Sequence, residues 1–347
     1  MMEHARRRTG WRRAVAPALE GLESRQLLSV FTGPSKVRTV QSTGGIFLIQ
    51  VSGPGVIKEN SAGRSGIDLS AFGTTSATTI NITQIRPRFH FPSQLLVLHN
   101  VRITSGQLGG LDADFSELNG KMTPLNGTLS TLELGSIGPK AQIDVNGNVD
   151  TMSVSQVDLG PTGHVVISGE LNTDDLTGSM TIGGFTIDGG RFVIGEDSIA
   201  PIAVTGNMTI SQDGLFSIGR DLDDSLSING NLVLDTGGQI FVGRNLNDLA
   251  VDGNVIVDPS GSGIVVNGAL GNLSVSGIFQ GQGGTSTPTL FDLGVGLSIS
   301  GLTISGGTTS QDGLINANIR AGGSITGEDI IYGSVNSTIQ PNTPPPG

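Results

Sequence analysis

The second half of this chain repeats a pattern of 24 residues. The block 215–238 (LFSIGRDLDDSLSINGNLVLDTGG) restates the block 191–214 (RFVIGEDSIAPIAVTGNMTISQDG), and the pattern returns in 239–263 and again from residue 264. A fixed period of this size is typical of a solenoid, in which each repeat buries its apolar face only against its neighbours. The repeat therefore predicts a stack of coils with one continuous core.

Apolar residues recur in three pairs per repeat. In the block 191–214 the pairs are Phe192 with Ile194, Ile202 with Val204, and Met208 with Ile210. A spacing of two residues directs both side chains to the same face of a strand. We therefore expect three short strands in each coil of about 24 residues.

Gly-Asn pairs punctuate the repeat at 206–207, 230–231 and 253–254, and another lies at 147–148. Glycine permits the positive φ of a tight turn, and asparagine bonds to nearby backbone. These pairs predict corners between the second and third strands, with stacked asparagine side chains forming an amide ladder. Three strands per coil with such corners resemble the right-handed parallel β-helix, which implies an all-β chain with coils about 4.8 Å apart.

Composition along the chain predicts four segments. They are an Arg-rich leader over 1–30, a β-rich N-terminal cap over 31–94, a parallel β-helix of roughly ten coils over 95–339, and a disordered Pro-rich tail over 340–347. The cap is expected because an open β-helix exposes a strand edge that must be protected from pairing with other chains.

The chain is acidic and lacks cysteine. Lys and Arg number 19 against 30 Asp and Glu, for a formal net charge of −11. Because such a body repels phosphate backbones, nucleic acid is excluded as an expected partner. The absence of cysteine rules out disulfides, thiolate metal sites and cysteine nucleophiles.

The leader contains a short motif after its run of arginines. Its sequence at 22–28 (LESRQLL) resembles the Leu-Glu-x-Arg-x-Leu-Leu motif near the amino terminus of many secreted or surface proteins of planctomycete bacteria. The matching residues are Leu22, Glu23, Arg25, Leu27 and Leu28, whereas Ser24 stands where Pro or Asp is common. The resemblance implies export to the cell surface or beyond. The alternative is a short amphipathic helix with a basic face.

Three aspartates fall at equivalent places in their coils. Asp174, Asp224 and Asp248 each lie five residues after a glycine that marks the end of the first strand. Stacked carboxylates could bind a cation such as Ca²⁺ or act as an acid/base pair on a glycan. The plainer interpretation is that aspartate simply suits a corner. No other cofactor is expected.

The densest basic and aromatic cluster of the body lies at 86–92 (RPRFHFP). Arginine forks and aromatic faces could bind a sugar or an anionic polymer, so Arg86, Arg88, Phe89 and Phe91 form a candidate binding cluster. The alternative is a proline-stiffened cap whose phenylalanines plug the end of the solenoid.

Fragments at 163–165 (GHV) and 172–175 (NTDD) resemble motifs of β-helical polygalacturonases. Their order is reversed here and the Arg-x-Lys element is missing, so no catalytic roles are transferred. No segment is long and apolar enough to span a membrane. We therefore expect a non-catalytic extracellular or cell-surface solenoid with a structural, adhesive or matrix-binding role, whose partner is a polysaccharide or another envelope component. The alternative is a β-helical polysaccharide lyase or glycoside hydrolase.

Overall fold

The computed structural model describes residues 34–43, 45–61, 66–87, 95–123, 125–171, 179–258, 260–281, 293–306, 313–326, 328–330, 334–335 and 338–341. From Ser35 onward these residues belong to one compact unit, Ser35–Gly347. The predicted sorting motif at 22–28 lies outside the described residues.

The described residues form strands and turns, with no helix among them. The strands are β1 (Val37–Ser42), β2 (Gly45–Ser52), β3 (Val56–Ser61), β4 (Ile67–Phe72), β5 (Thr79–Pro87), β6 (Leu96–Ile103), β7 (Gly110–Met122), β8 (Leu125–Asn126), β9 (Leu129–Ile137), β10 (Gln142–Asn146), β11 (Val149–Leu159), β12 (His164–Ile167), β13 (Met180–Asp188), β14 (Arg191–Ile194), β15 (Ile202–Val204), β16 (Met208–Ser211), β17 (Leu215–Ile218), β18 (Leu222–Ile228), β19 (Leu232–Leu234), β20 (Gln239–Val242), β21 (Leu246–Val251), β22 (Val255–Val257), β23 (Gly263–Val266), β24 (Leu270–Val275), β25 (Phe279–Gln280), β26 (Leu293–Val295), β27 (Ile299–Ile304), β28 (Leu314–Ile315), β29 (Asn318–Ala321), β30 (Glu328–Ile330), β31 (Ser334–Val335) and β32 (Thr338–Pro341). All of them join one hydrogen-bonded sheet.

The sheet winds as three parallel ladders. The first ladder runs β10–β12–β14–β17–β20–β23–β26–β29–β32. The second runs β13–β15–β18–β21–β24–β27–β30, and the third runs β13–β16–β19–β22–β25–β28–β31. This arrangement confirms the predicted all-β parallel solenoid with three short strands per coil. It makes about nine turns, one fewer than expected.

Coils before residue 190 are built differently, because their second and third strands merge. Strand β13 continues through this corner and pairs with β15 through its first half and with β16 through its second. Only two residues, Gly183 and Gly184, join the inward-facing Ile182 and Phe185 there. A Cβ at Gly183 would collide with the backbone oxygen of Ser155 in the preceding coil, so this tight corner requires glycine.

The predicted corner at Gly147-Asn148 is therefore wrong in its placement. These residues follow β10, so they lie after the first strand of their coil, where Asn148 Oδ1 accepts the N–H of Glu170 at 3.0 Å. The corner between the second and third strands needs no Gly-Asn pair in the early coils, since β7, β9, β11 and β13 pass through it unbroken.

The predicted asparagine ladder takes a different form from stacked amides. Asn207 Oδ1 accepts the backbone N–H of Asn231 at 2.8 Å, Asn231 Oδ1 accepts that of Asn254 at 2.8 Å, and Asn254 Oδ1 accepts that of Ile278 at 2.9 Å. Each side chain thus satisfies a corner N–H of the next coil, which the strands themselves cannot reach.

At the amino-terminal end of the unit, antiparallel strands join the solenoid. Strand β2 lies between β1 and β5 in antiparallel pairing, and β3 pairs antiparallel with β4. Strands β4 and β5 then pair in parallel with β6 and β7. Parallel stacking therefore begins at β4, inside the segment expected to be the cap.

One continuous core runs along the solenoid, because the inward residues of each strand stack on their register partners. Phe192, Phe216, Ile240 and Ile264 are consecutive partners in the first ladder and are almost completely buried. Three rings pack together where β13, β14 and β17 meet, with centroids of Phe185, Phe192 and Phe216 separated by 5.6 to 5.8 Å. Such tilted and edge contacts add to the burial of the rings.

We expect Phe216→Ala to lower the free energy of unfolding by about 3–5 kcal/mol, since it opens a cavity among three packed rings. Phe115→Ala is the matched control: Phe115 is 41% exposed, and its loss should change stability by no more than about 0.5 kcal/mol. Urea unfolding followed by far-UV circular dichroism measures both values. Equal losses in the two variants would contradict the core described above.

Candidate functional site

In three successive coils, the corner that follows the first strand carries a ladder of side-chain oxygens. Asp197 Oδ1 accepts the N–H of Asp221 at 3.0 Å, Asp221 Oδ1 accepts that of Asn245 at 2.9 Å, and Asn245 Oδ1 accepts that of Ala269 at 2.9 Å. Asp221 is only 7% exposed. We call these residues the corner ladder, and its geometry shows that its carboxylates bind one coil to the next.

Arginine neutralises this ladder where it carries charge. Arg220 Nη1 lies 3.6 Å from Asp197 Oδ2, and Arg244 Nη2 lies 2.6 Å from Asp221 Oδ2. One coil further on, the ladder residue is the neutral Asn245, and Gly268 takes the place of the arginine. Both guanidinium groups are about half exposed, so each pair contributes little to stability beyond the hydrogen bonds of the ladder.

Asp223 lies beside the corner ladder and has a perturbed acidity. Partial burial raises the pKa of its carboxyl, the charges of Asp221 and Asp197 raise it further, and Arg244 offsets part of the increase. The raised pKa follows first from burial and then from crowding of like charges. The group is a consequence of how this corner is packed.

Of the three aspartates singled out in the sequence, Asp224 and Asp248 do not share one rung. Asp174 lies outside the described residues. Asp224 is exposed in a bulge between Leu222 and Ser225, and Asp248 pairs in register with Ser225. The corner has one more residue in the coil of Asp224, and the bulge absorbs that residue. Asp248 instead accepts a hydrogen bond from Asn272 Nδ2 at 2.6 Å.

Removing a carboxylate of the corner ladder should lower the stability of the fold. We expect Asp221→Ala to lower the free energy of unfolding by about 1.5–3 kcal/mol, because Asn245 N–H loses a charged acceptor and Arg244 loses its partner. Asp221→Asn keeps the acceptor and should lose less. Asp224→Ala, in the exposed bulge, should change stability by at most about 0.5 kcal/mol. Chemical unfolding of the three variants tests this order, and a loss in Asp224→Ala equal to that in Asp221→Ala would refute it.

A second group of acidic residues is not apparent from the sequence pattern. Asp112 and Asp114 lie on the outer face of β7, and Glu133 on β9 is the register partner of Asp112. One carboxylate oxygen from each lies within 4.8 Å of the other two. Oxygens so arranged could hold a hard cation such as Ca²⁺, with water completing its coordination. The 24-residue period hides this group, because Asp112 and Glu133 are 21 residues apart in a shorter coil.

Burial and crowding together raise the pKa of two carboxyls in this group. Partial burial raises the pKa of Asp112, and the charge of Asp114 raises it further. The pKa of Glu133 is raised by partial burial first, then by Asp114 and Asp112. These carboxyls therefore hold protons more tightly in the folded chain than in the unfolded chain.

This proton binding gives stability a definite dependence on pH. A raised pKa in the folded state adds stability below the ordinary carboxyl pKa of about 4, and that contribution is lost as the pH rises through the raised value. Glu133→Gln removes the repulsion and should stabilise the chain by about 0.5 kcal/mol at pH 7, with no gain near pH 3.5. Glu59→Gln on β3 is the control for a lost charge. Thermal unfolding at both pH values measures the difference, and an equal gain at pH 3.5 would disprove the assignment.

A groove of about 380 Å³ lies where the third strand of a coil turns into the first strand of the next coil. It extends over three neighbouring coils. Pro161, Thr162, Gly163 and His164 line it from one coil, Gly189, Gly190 and Arg191 from the next, and Asp213 and Leu215 from the third. His164 Nε2 lies 3.2 Å from Asp144 Oδ1. We call this feature the corner groove. It contains the histidine of the fragment at 163–165, now surrounded by arginine, threonine and aspartate.

Of the predicted basic and aromatic cluster, the structure describes Arg86 alone. Arg86 lies near the end of β5, pairs in register with Ile46 and is exposed. Arg88, Phe89 and Phe91 lie outside the described residues, so the role assigned to the cluster stays a prediction.

Comparison with protein-family models, with curated proteins and with solved structures gives no match to this chain. In the described part of the chain, no helix has the length and hydropathy needed to cross a membrane.

Proposed function

We propose that the chain is a non-catalytic extracellular or cell-surface β-solenoid with a structural, adhesive or matrix-binding role. The observation that carries this proposal is the use made of the polar residues of the repeat. Side-chain oxygens of the corner ladder and of Asn207, Asn231 and Asn254 accept backbone N–H groups of the following coil. These groups hold a rigid rod together, which is what a scaffold or adhesive module needs.

The outer surface of the second ladder supports the same role. Its central outward positions are register partners with short side chains: Thr181, Ala203, Ser227, Ala250, Ser274 and Thr303. Residues repeated at the spacing of stacked strands, about 4.8 Å, give a flat and regular surface. Such a face suits broad contact with an extended polymer or with a neighbouring layer.

Location and partner are inferred from charge and from the leader. The resemblance of residues 22–28 to a sorting motif favours export to the cell surface. The net charge of −11 disfavours nucleic acid and attracts cations, so Ca²⁺ could bridge this chain to an acidic envelope component. We infer that the partner is a polysaccharide or another component of the envelope.

One observation favours the enzymatic alternative, a polysaccharide lyase or glycoside hydrolase. Asp112 and Glu133 are register partners, and the pKa of each carboxyl is raised first by partial burial and then by the charge of Asp114. A carboxyl with a raised pKa beside a second carboxyl is the arrangement that supplies a general acid for glycan cleavage. The alternative therefore predicts that Asp112 or Glu133 is required for cleavage of a glycan.

A single assay separates the two functions. The full chain is mixed with insoluble envelope polysaccharide with and without Ca²⁺, and both sedimented protein and released reducing ends are measured. We expect the protein to sediment with the polymer and to release no oligosaccharide. Release that disappears in Asp112→Asn and Glu133→Gln would establish the enzyme. Failure to sediment under every condition would remove the matrix-binding role.

A further inference from the structure

The corner groove exists because one corner is shorter than its neighbours. Three residues, 188–190, join the inward Ile187 to β14, whereas four join the corresponding positions in the coils before and after it. The short corner consists largely of Gly189, with φ +77°, and Gly190, which contribute no side chains. The flanking corners are two coil spacings apart, about 9–10 Å. A recess one coil wide is left between them.

Glycine is required on the floor of this recess. A Cβ at Gly190 would lie 2.7 Å from the backbone oxygen of Gly160 and 2.9 Å from that of Gly163. Contacts this close with backbone atoms cannot be relieved by a side-chain rotation. The recess is therefore part of the coil packing itself, and it is lined by backbone that is held in place.

Polar groups of opposite character line the groove. Arg191 offers guanidinium donors and is exposed, and within the described part of the chain no hydrogen bond or ion pair is formed by its side chain. Asp213 lines the groove from the following corner, where its Oδ1 lies beside Gly237 of the next coil, and Thr162 lines the groove from the preceding corner. The imidazole of His164 is held by Asp144 at 3.2 Å and is only 19% exposed. Residues that carry donor and acceptor groups thus line different sides of one recess.

The apolar lining completes the chemical description. Pro161 lines the groove from one flanking corner and Leu215 from the strand after the other. A sugar ring presents C–H groups that pack against such side chains and hydroxyls that both donate and accept hydrogen bonds. A volume of about 380 Å³, open to solvent, accommodates a sugar unit whose neighbours in a polymer continue outside.

Charge decides which sugars fit. Arg191 is the one cation that lines the groove without a carboxylate partner among the described residues, while Asp144, Asp188 and Asp213 lie in or beside it. Arg191 and Asp213 balance within the lining and Asp188 adds a negative charge beside it, so a carboxylated sugar would find no net positive charge there. We propose that the corner groove binds an uncharged sugar unit of a polysaccharide. This inference rests on the matrix-binding role proposed above and names the chemical class of its ligand.

The test uses the full chain and defined sugars. Saturation-transfer NMR is recorded with glucose, galactose, mannose and N-acetylglucosamine, and with glucuronate as the charged comparator. We expect transfer to the ring protons of at least one uncharged sugar, with weaker or no transfer to glucuronate. Absence of transfer to all four uncharged sugars, or tighter binding of glucuronate, would overturn the proposal.

Variants locate the site. Arg191→Ala and Asp213→Gly should each weaken binding of the uncharged sugar at least tenfold. Both should fold, since Arg191 is exposed and Asp213 has φ +62°, a conformation that glycine adopts without strain. Arg220→Ala removes an exposed arginine that lies beside Asp197 of the corner ladder, and this variant should bind the sugar like the original chain. Loss in Arg220→Ala equal to that in Arg191→Ala would show that the groove is not the site.

The sedimentation assay separates failure of this inference from failure of the proposed function. If Arg191→Ala still sediments fully with the polymer while the sugars bind nowhere in the groove, the matrix-binding role stands and the groove is rejected. If the original chain does not sediment, the proposed function fails irrespective of the groove. If Arg191→Ala and Asp213→Gly both lose sugar binding and sediment less, both inferences are supported.

Discussion

Hydrogen bonding from each coil to the next is the interaction on which the rest of this structure depends. Within the three ladders the parallel strands satisfy one another, but every corner turns backbone N–H groups away from that pattern. An unsatisfied N–H at a packed corner costs free energy in every coil, and the cost recurs with the period of the repeat. Side-chain oxygens supply the missing acceptors. They belong to Asp197, Asp221 and Asn245 at one corner and to Asn207 and Asn231 at another. Asparagine and aspartate are therefore required here for a reason that is independent of binding or catalysis.

Charge in the solenoid follows from the same requirement. Aspartate is a stronger acceptor than asparagine, but stacked carboxylates about 4.8 Å apart repel one another. Arg220 and Arg244 appear where the ladder carries aspartate, and Gly268 appears where it carries Asn245. The group of Asp112, Asp114 and Glu133 contains three carboxylates within 4.8 Å of one another and no arginine. In this group burial and the neighbouring negative charges raise the pKa of Asp112 and of Glu133. An uncompensated group is the better candidate for a cation or a proton.

Sequence reasoning predicts the fold well where the period is constant and less well where it changes. Between residues 191 and 279 every inward pair lies in the predicted register, because three apolar pairs at a fixed spacing leave no competing alignment. The coils over residues 110–167 are shorter, with register partners 19–22 residues apart. Gly147-Asn148 is therefore assigned to the wrong corner, and the pairing of Asp112 with Glu133 is not seen. A single extra residue also separates Asp224 from the rung of Asp248, since a bulge keeps the core in register and displaces only the surface.

The core tolerates no change of length, whereas a corner does, and this difference explains where a binding site can arise in such a chain. A change of length within a strand would shift every inward side chain of that strand to the outer face, so selection on the core keeps strand lengths and registers fixed. A change of length at a corner alters only the outline of the rod. One residue fewer at 188–190 leaves a recess, and one residue more beside Asp224 makes a bulge. Binding sites in this solenoid are therefore expected where the repeat is irregular, and the corner groove is the irregularity that brings donors, acceptors and apolar side chains together.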